Sequence, residues 1–288
     1  MWNPFNRNTI SNSSASKRSL QLITQKGMPF AYVEAYKALR TNLNFLSGSG
    51  DVHAFVVTST VPEEAKSTVS VNLALALTES GKKVVLVDCD LRKPVLHRYL
   101  KAGHNLKGVS NVLSRQVALS DALVELKGIS NLTFLPAGTT PPNPSELLSQ
   151  PQMQEMVDTL RGSYDFVILD APPISMVTDA AVIGRIVDGA LFVVRSKYAS
   201  TDAVKTALEK LQDAGVKVLG AVLTRYDAKK SLKRSDYGYG YYYYNSNYSY
   251  GTPPPDGISE SAAEKSCLTS KNRHNGKEKH SVHTEDET

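Results

Sequence analysis

Short apolar runs alternate with longer amphipathic segments along most of this chain. Residues 55–57, 84–87 and 166–169 are apolar runs of the length expected for strands that are buried on both faces. Residues 69–77 lie between the first two runs and are rich in Val, Leu and Ala, and we predict that they form a helix that Gly81 ends. Because this βα alternation continues from about residue 53 to residue 224, we predict an α/β fold. It is a doubly wound, mostly parallel sheet with helices on both faces.

The other predicted elements follow the same pattern. We expect helices at residues 32–45, 119–126, 152–160, 178–186 and 201–214. We expect strands at residues 132–135, 190–195 and 216–223.

The loop between the first strand and its helix has the chemistry of a phosphate-binding loop. Lys66, Ser67 and Thr68 stand at the predicted helix N-terminus, where backbone N–H groups bind phosphate oxygens. In such loops the lysine reaches the outer phosphates, and the adjacent hydroxyl ligates Mg²⁺. The usual pattern, GxxxxGK[ST], is not met, because Thr60 and Ala65 stand at its two glycine positions. Ala65 adds a methyl group where the backbone passes close to the phosphates.

Carboxylates follow two of the predicted strands. Asp88 and Asp90 come at the end of the second apolar run, and Asp170 ends the third. In open α/β sheets ligands bind at the carboxyl ends of the strands, and carboxylates there are suited to Mg²⁺. The alternative is that these aspartates only cap the helices that follow them.

Composition narrows the possible partners. Hydrophobic residues make up 41% of the chain, which is enough for a sizeable core. The net charge of +5 comes from scattered basic residues, so we predict no nucleic-acid partner. Its two cysteines form neither a disulfide framework nor a metal-binding spacing, which favours a reducing cytosol. No apolar run approaches the length of a membrane span.

The two ends of the chain differ from its centre. We predict a flexible basic arm at residues 1–28, a nucleotide-binding domain at 29–235, a tyrosine cluster at 236–251 and a disordered polar tail at 252–288. Eight of the 14 tyrosines fall in the cluster, separated by Gly, Ser and Asn. Such a segment could be a low-complexity linker or an aromatic platform for single-stranded nucleic acid. The second needs interleaved Lys or Arg, and the cluster has none.

These motifs resemble those of the bacterial tyrosine kinases of the capsular and exopolysaccharide co-polymerase system. The resemblance rests on VVLVDCDLRKP, VILDAPP, the altered phosphate loop and the C-terminal tyrosines, in that order, over roughly residues 30–250. It implies a P-loop fold related to the MinD/ParA ATPases. It also implies an ATP- and Mg²⁺-dependent kinase that phosphorylates its own tyrosine cluster in trans and regulates polysaccharide synthesis and chain length.

The resemblance also assigns roles to residues. The catalytic residues would be Lys66, Asp88 and Asp90, and Mg²⁺ would be held by Ser67, Asp88 and Asp170. The nucleotide would bind to Pro62, Glu64, Ala65, Lys66, Ser67, Thr68 and Asp170. The phosphoacceptors would be Tyr237, Tyr239, Tyr241, Tyr242, Tyr243, Tyr244, Tyr248 and Tyr250.

One departure concerns the loop. The family's loop reads proline-glycine-glutamate-glycine-lysine-serine-threonine, and this chain has Glu63 and Ala65 at the two glycine positions. We therefore expect weakened rather than absent ATP binding, with Ala65 as the larger cause.

The resemblance further implies partners. These are an integral membrane activator that recruits the cytoplasmic chain to the inner face of the plasma membrane, a cognate protein-tyrosine phosphatase and further copies in a ring. Glu34, Lys37 and Arg40 lie three residues apart on one helix and would form the ring interface, although the family has arginine at the middle position. Without the resemblance, a solvated helix face is the simpler interpretation.

Two alternatives to an active kinase stay open. One is a nucleotide-poor scaffold, or pseudokinase, of the same family whose phosphate loop is impaired. The other is a ParA/MinD-like positioning ATPase, which would have no need of the tyrosine cluster.

Overall fold

The computed structural model describes residues 21–48 and 52–226, and these ranges contain all the elements named below. The strands are β1 (Ala54–Ser59), β2 (Val84–Asp88), β3 (Val124–Glu125), β4 (Leu132–Leu135), β5 (Phe166–Asp170), β6 (Ala190–Arg195) and β7 (Val218–Thr224). The helices are α1 (Phe30–Gly48), α2 (Lys66–Thr78), α3 (Leu96–Tyr99), α4 (Val109–Leu113), α5 (Leu119–Ala122), α6 (Pro144–Leu148), α7 (Pro151–Arg161), α8 (Asp179–Gly184) and α9 (Thr201–Asp213).

The strands form one sheet in the order β3-β4-β2-β5-β1-β6-β7. Every pair in it is parallel except β3 with β4. The predicted α/β fold with a mostly parallel sheet is therefore confirmed. The three strands at the centre of the site, β2, β5 and β1, are direct neighbours in this order.

Helices cover both faces of the sheet, which explains the continuous apolar runs in its strands. Along β1, the side chains of Phe55 and Val57 enter the core shared with α1 and α2, while Ala54 and Val56 enter the opposite core with α7 and α8. The two-sided burial leaves no polar alternation in the central strands. Helix α2 is itself buried from Val69 to Leu77, so it lies inside the protein rather than on its surface.

Two predictions about element boundaries are wrong. The helix expected at residues 119–126 ends at Ala122, because Leu123 adopts an extended backbone that leads into β3. The basic arm expected at residues 1–28 is too long, because Gln21, Leu22 and Ile23 already pack against the domain. Ile23 is buried, and its N–H donates to the Asn72 side chain on α2. The tyrosine cluster and the polar tail lie outside the described residues.

A close approach at Gly108, just before α4, generates a testable prediction. A β-carbon at this position would overlap the carbonyl group of Pro136, which is fixed because it accepts a hydrogen bond from the N–H of Val109. We expect Gly108→Ala to lower the free energy of unfolding by about 1–3 kcal/mol, the usual cost of overpacking. Gly220→Ala in β7 is the matched control, because nothing lies near its added methyl group. Urea unfolding of both variants checks this, and equal stabilities would contradict it.

Candidate active site

Three strand ends and one helix start meet at the carboxyl edge of the sheet. Asp88 at the end of β2 and Asp170 at the end of β5 are register partners on neighbouring strands. The chain leaves β1 at Ser59, passes through a short loop and begins α2 at Lys66. The parallel topology therefore brings the lysine of the loop to the strand-end carboxylates, as the motifs predict.

Lys66 lies among oxygen atoms from three residues. Its Nζ is 3.2 Å from Asp90 Oδ2, 3.2 Å from Asp170 Oδ2 and 3.2 Å from Ser67 Oγ. The Ser67 hydroxyl in turn donates to Asp170 Oδ2 over 2.6 Å. Only 12% of the Lys66 side chain and none of the Asp170 side chain is exposed, so solvent screens these charges weakly. The result is a compact set of hard oxygen donors around one positive charge.

Ser70 is part of this cluster, although the sequence analysis did not select it. Its hydroxyl donates to Asp170 Oδ1 over 2.9 Å, so Asp170 accepts hydrogen bonds on both of its oxygens. Ser70 lies three residues after Ser67 on α2, and residues at that spacing share a helix face. The spacing was thus the signal that could have identified it.

The two aspartates after β2 occupy different environments. Asp88 is fully buried, and its two oxygens accept hydrogen bonds from the backbone N–H groups of Asp90 and Leu96, each over 3.2 Å. Asp90 is slightly exposed and contacts Lys66 directly. Asp90 is thus the more accessible of the two, and no hydrogen bond joins the Asp88 side chain to Lys66 among the described contacts.

Charge crowding shifts two protonation equilibria. Burial, and then the neighbouring Asp170, raises the pKa of Asp88 from 3.8 to about 8, although Lys66 acts in the opposite direction. Burial by itself would lower the pKa of Lys66, but the charges of Asp170, Asp90 and Asp88 outweigh it and hold that pKa above its ordinary value. Lys66 therefore stays a cation, and the carboxylates together carry more negative charge than it can balance.

A second ion pair joins the two carboxylate-bearing segments. Arg92, two residues after Asp90, donates from Nε to Asp179 Oδ2 over 3.1 Å. Asp179 is fully buried at the start of α8 and also accepts a hydrogen bond from the Ser145 hydroxyl over 2.6 Å. No role for these residues could be predicted from the sequence, because their contact depends on how distant segments pack.

The phosphate loop has an unusual backbone conformation. Glu63 and Ala65 have φ values of 66° and 71°, in the left-handed region that favours glycine. These are the two positions at which the resembled family has glycine. Glu64 lies between them with its carboxylate buried against backbone N–H groups, so this charge does not face a bound anion. The role of its backbone in nucleotide binding stays a prediction, as do those of Pro62 and Thr68.

The donor set fits the cofactors that the motifs imply. Oxygens from Ser67 and Asp170 lie beside Lys66, and Asp88 is the register partner of Asp170 on the neighbouring strand. Such hard oxygen ligands are those that Mg²⁺ prefers. Lys66 opens α2, so the N-terminal N–H groups of a buried helix lie next to these oxygens. A helix N-terminus of this kind is suited to phosphate.

The three charged residues expected to form the ring interface, Glu34, Lys37 and Arg40, have different partners in the structure. Lys37 pairs with Glu34 over 2.7 Å, and both side chains are 41% exposed. Arg40 instead turns toward the same chain, where it donates to the carbonyl of Ala76 on α2 over 2.9 Å. The prediction that Glu34, Lys37 and Arg40 act together on one face of the helix is therefore wrong for Arg40. A ring interface through these residues stays a prediction.

Within residues 21–48 and 52–226, no helix is both long and apolar enough to cross a bilayer.

The fold places this chain in a class of protein, the α/β proteins that share the fold of MinD. A family model described as "AAA domain" matches residues 64–218. The structure of the septum site-determining protein MinD from Pyrococcus horikoshii, in complex with Mg-ADP, has a TM-score of 0.53 to this chain at 24% identity. It covers 65% of this chain and 79% of MinD, and it shows a shared fold.

Closer relatives define the family within this class. Tyrosine-protein kinase YwqD of Bacillus subtilis is 38% identical over 205 residues, which are 71% of this chain and 84% of YwqD. The crystal structure of the chimerical protein CapA2B2 has 36% identity and a TM-score of 0.67, over 72% of this chain and 90% of that one. The chain belongs to the family of bacterial tyrosine-protein kinases, as its motifs indicated.

The left-handed conformation of Ala65 generates a prediction about stability. A non-glycine residue in this region costs about 1–2 kcal/mol, and glycine loses about 0.5–1 kcal/mol more backbone entropy on folding. We therefore expect Ala65→Gly to leave the free energy of unfolding of the ligand-free protein unchanged or to raise it by up to about 1 kcal/mol. Ala35→Gly, at an exposed position within α1, should lower it by about 1 kcal/mol. Urea unfolding distinguishes the two, and equal losses would show that Ala65 is unstrained.

The raised pKa of Asp88 predicts a dependence of stability on pH. The folded state binds this proton more tightly than the unfolded state, so the wild type loses stability as the pH rises from 3.8 to about 8. Asparagine cannot ionise, so the stability of Asp88→Asn relative to the wild type should rise over the same window and level off above it. Unfolding midpoints measured with a chelator and without nucleotide check this. Parallel pH profiles for the two proteins would contradict it.

Proposed function

We propose that this chain is an ATP- and Mg²⁺-dependent tyrosine kinase that phosphorylates its own C-terminal tyrosines in trans. The observation that carries the proposal is the position of Lys66 among Ser67, Asp90 and Asp170 at the carboxyl edge of the sheet. A lysine at a helix N-terminus beside strand-end carboxylates supplies both a phosphate contact and metal ligands.

The chemistry follows from the charges of these side chains. ATP with Mg²⁺, when bound, supplies the phosphoryl group that is transferred. Lys66 would exchange its carboxylate partners for the outer phosphates, and Ser67, Asp170 and Asp88 would hold the cation. Asp90 or Asp88 would orient the tyrosine hydroxyl and accept its proton, while the tyrosine oxygen gains the bond to phosphorus that ADP gives up. Positioning and charge stabilisation would supply most of the rate, because neutral tyrosine is a poor nucleophile.

The proposed acceptors are the eight tyrosines from Tyr237 to Tyr250, which lie outside the described residues. They occur between Gly, Ser and Asn, and β7 ends at Thr224, 13 residues before Tyr237 in sequence. Transfer between chains would follow from a ring of kinase domains, for which Glu34, Lys37 and Arg40 are the proposed contacts.

The proposed setting is capsular or exopolysaccharide biosynthesis. Family membership and the likeness to the chimeric protein CapA2B2 support a cytoplasmic kinase that an integral membrane activator recruits to the inner face of the plasma membrane. Phosphorylation there would regulate capsular or exopolysaccharide synthesis and chain length, and a cognate phosphatase would reverse it.

A second candidate is a scaffold of the same family that binds nucleotide poorly. The left-handed backbone of Glu63 and Ala65 favours it, because both residues stand where the family has glycine. Measured phosphotransfer separates it from the first candidate.

We expect Lys66→Met to abolish phosphotyrosine formation from ATP and Mg²⁺, because the variant keeps the length of the side chain and loses its charge. Immunoblotting for phosphotyrosine after incubation with the full-length chain, with and without the membrane activator's cytosolic tail, is the measurement. Lys82→Met is the matched control, because 45% of the Lys82 side chain is exposed and its ion-pair partner among the described residues is Asp165 at 3.9 Å.

The control should label like the wild type. Full labelling of Lys66→Met would show that the nucleotide binds elsewhere. A wild type that binds ATP·Mg²⁺ and never labels, even with the activator tail, would favour the scaffold. The unfolding midpoint of Lys66→Met must lie above the assay temperature, because the variant leaves the carboxylates without their internal cation.

A further inference from the structure

A buried glutamate, Glu64, connects the phosphate loop to the ends of two strands. Its Oε2 accepts a hydrogen bond from the N–H of Val61 over 2.9 Å, within the loop. Its Oε1 accepts one from the N–H of Arg195 over 3.1 Å, at the end of β6. Its backbone carbonyl accepts one from the Thr224 hydroxyl over 3.0 Å, at the end of β7. No part of Glu64 is exposed, so these bonds form away from solvent.

The neighbours of Glu64 explain why such anchoring matters in this chain. Glu63 and Ala65 both adopt left-handed backbone that residues other than glycine avoid, and they do so on either side of the anchored residue. A conformation of this kind persists only where the surrounding structure holds it. Arg195 adds a further contact, because its Nη1 donates to the carbonyl of Glu63 over 3.4 Å.

We infer that the Glu64 carboxylate and the Thr224 hydroxyl are positioning residues that hold the phosphate loop in its nucleotide-binding shape. They supply by hydrogen bonding the conformational preference that glycine would supply at positions 63 and 65. The inference rests on the proposed function, because it assumes that this loop takes up a nucleotide. Neither group would contact the nucleotide, since the Glu64 carboxylate is already bonded to Val61 and Arg195.

Two isosteric variants test whether the hydrogen bonds of Glu64 and Thr224 hold the phosphate loop. Glu64→Gln keeps the shape of the side chain but turns one acceptor into a donor that faces a backbone N–H. Thr224→Val removes the hydroxyl and keeps the volume. We expect calorimetric titration with ATP·Mg²⁺ to show affinity at least about tenfold weaker for Glu64→Gln and about threefold weaker for Thr224→Val. Glu79→Gln, an exposed residue just after the other end of α2, is the matched control and should bind like the wild type.

A double variant separates positioning of the loop from a general loss of structure. Glycine adopts left-handed backbone without strain, so Glu64→Gln should cost much less affinity when Ala65→Gly is also present. If Glu64→Gln lowers the affinity equally with and without Ala65→Gly, the inference is overturned. The hydrogen bonds of Glu64 would then not compensate for the missing glycine at position 65.

Hydrogen exchange in the ligand-free protein gives a test that needs no nucleotide. The amide protons of Val61 and Arg195 should exchange about tenfold faster or more in Glu64→Gln than in the wild type, because they lose the buried acceptor. Unchanged exchange at both amides would overturn the inference whether or not ATP binds. If the wild type takes up no ATP·Mg²⁺, the proposed function fails, and the exchange rates still decide whether Glu64 holds the loop.

Discussion

The carboxyl edge of this sheet gathers more buried negative charge than the chain itself neutralises. Asp88, Asp90 and Asp170 meet there, and Lys66 is the cation that contacts two of them. Like charges at short range in a weakly screened site repel strongly. The pKa of about 8 at Asp88 shows one response, which is to retain a proton. A divalent cation at the same oxygens, as the proposed function requires, would supply the missing positive charge in another way.

This concentration of charge depends on the order of the strands. Because β2, β5 and β1 are neighbours and run parallel, the residues that end them share one edge. Helices on both faces keep the strands and α2 buried, which limits how far the carboxylates and the lysine can move apart. The contact of Arg92 with Asp179 joins the segments that follow β2 and β5, so the loops are held as well as the strands.

The features that could be predicted from the sequence are those that leave a pattern in a short stretch of residues. A strand that is buried on both faces appears in the sequence as an apolar run, so the sheet could be predicted. Asp170 directly follows such a run and Lys66 follows another, so their proximity at the edge of the sheet could also be predicted. Contacts between distant segments leave no such pattern. The two-residue strand β3 is defined only by its pairing with β4. Arg40 donates a hydrogen bond to the carbonyl of Ala76 on α2, although its spacing on α1 groups it with Glu34 and Lys37. Glu64 showed the same limit, because its partner Arg195 is 131 residues away in sequence.

The conformation of the phosphate loop changes how the replacement of its two glycines is interpreted. Glu63 and Ala65 both adopt the strained left-handed conformation in this structure. If the loop keeps this shape when a nucleotide binds, the strain is common to both states and cancels from the binding free energy. It then lowers the stability of the fold, and only the Ala65 methyl group acts on affinity, through its distance from the phosphates. The absence of both glycines is therefore compatible with a working kinase, provided that the contacts of Glu64 hold the loop.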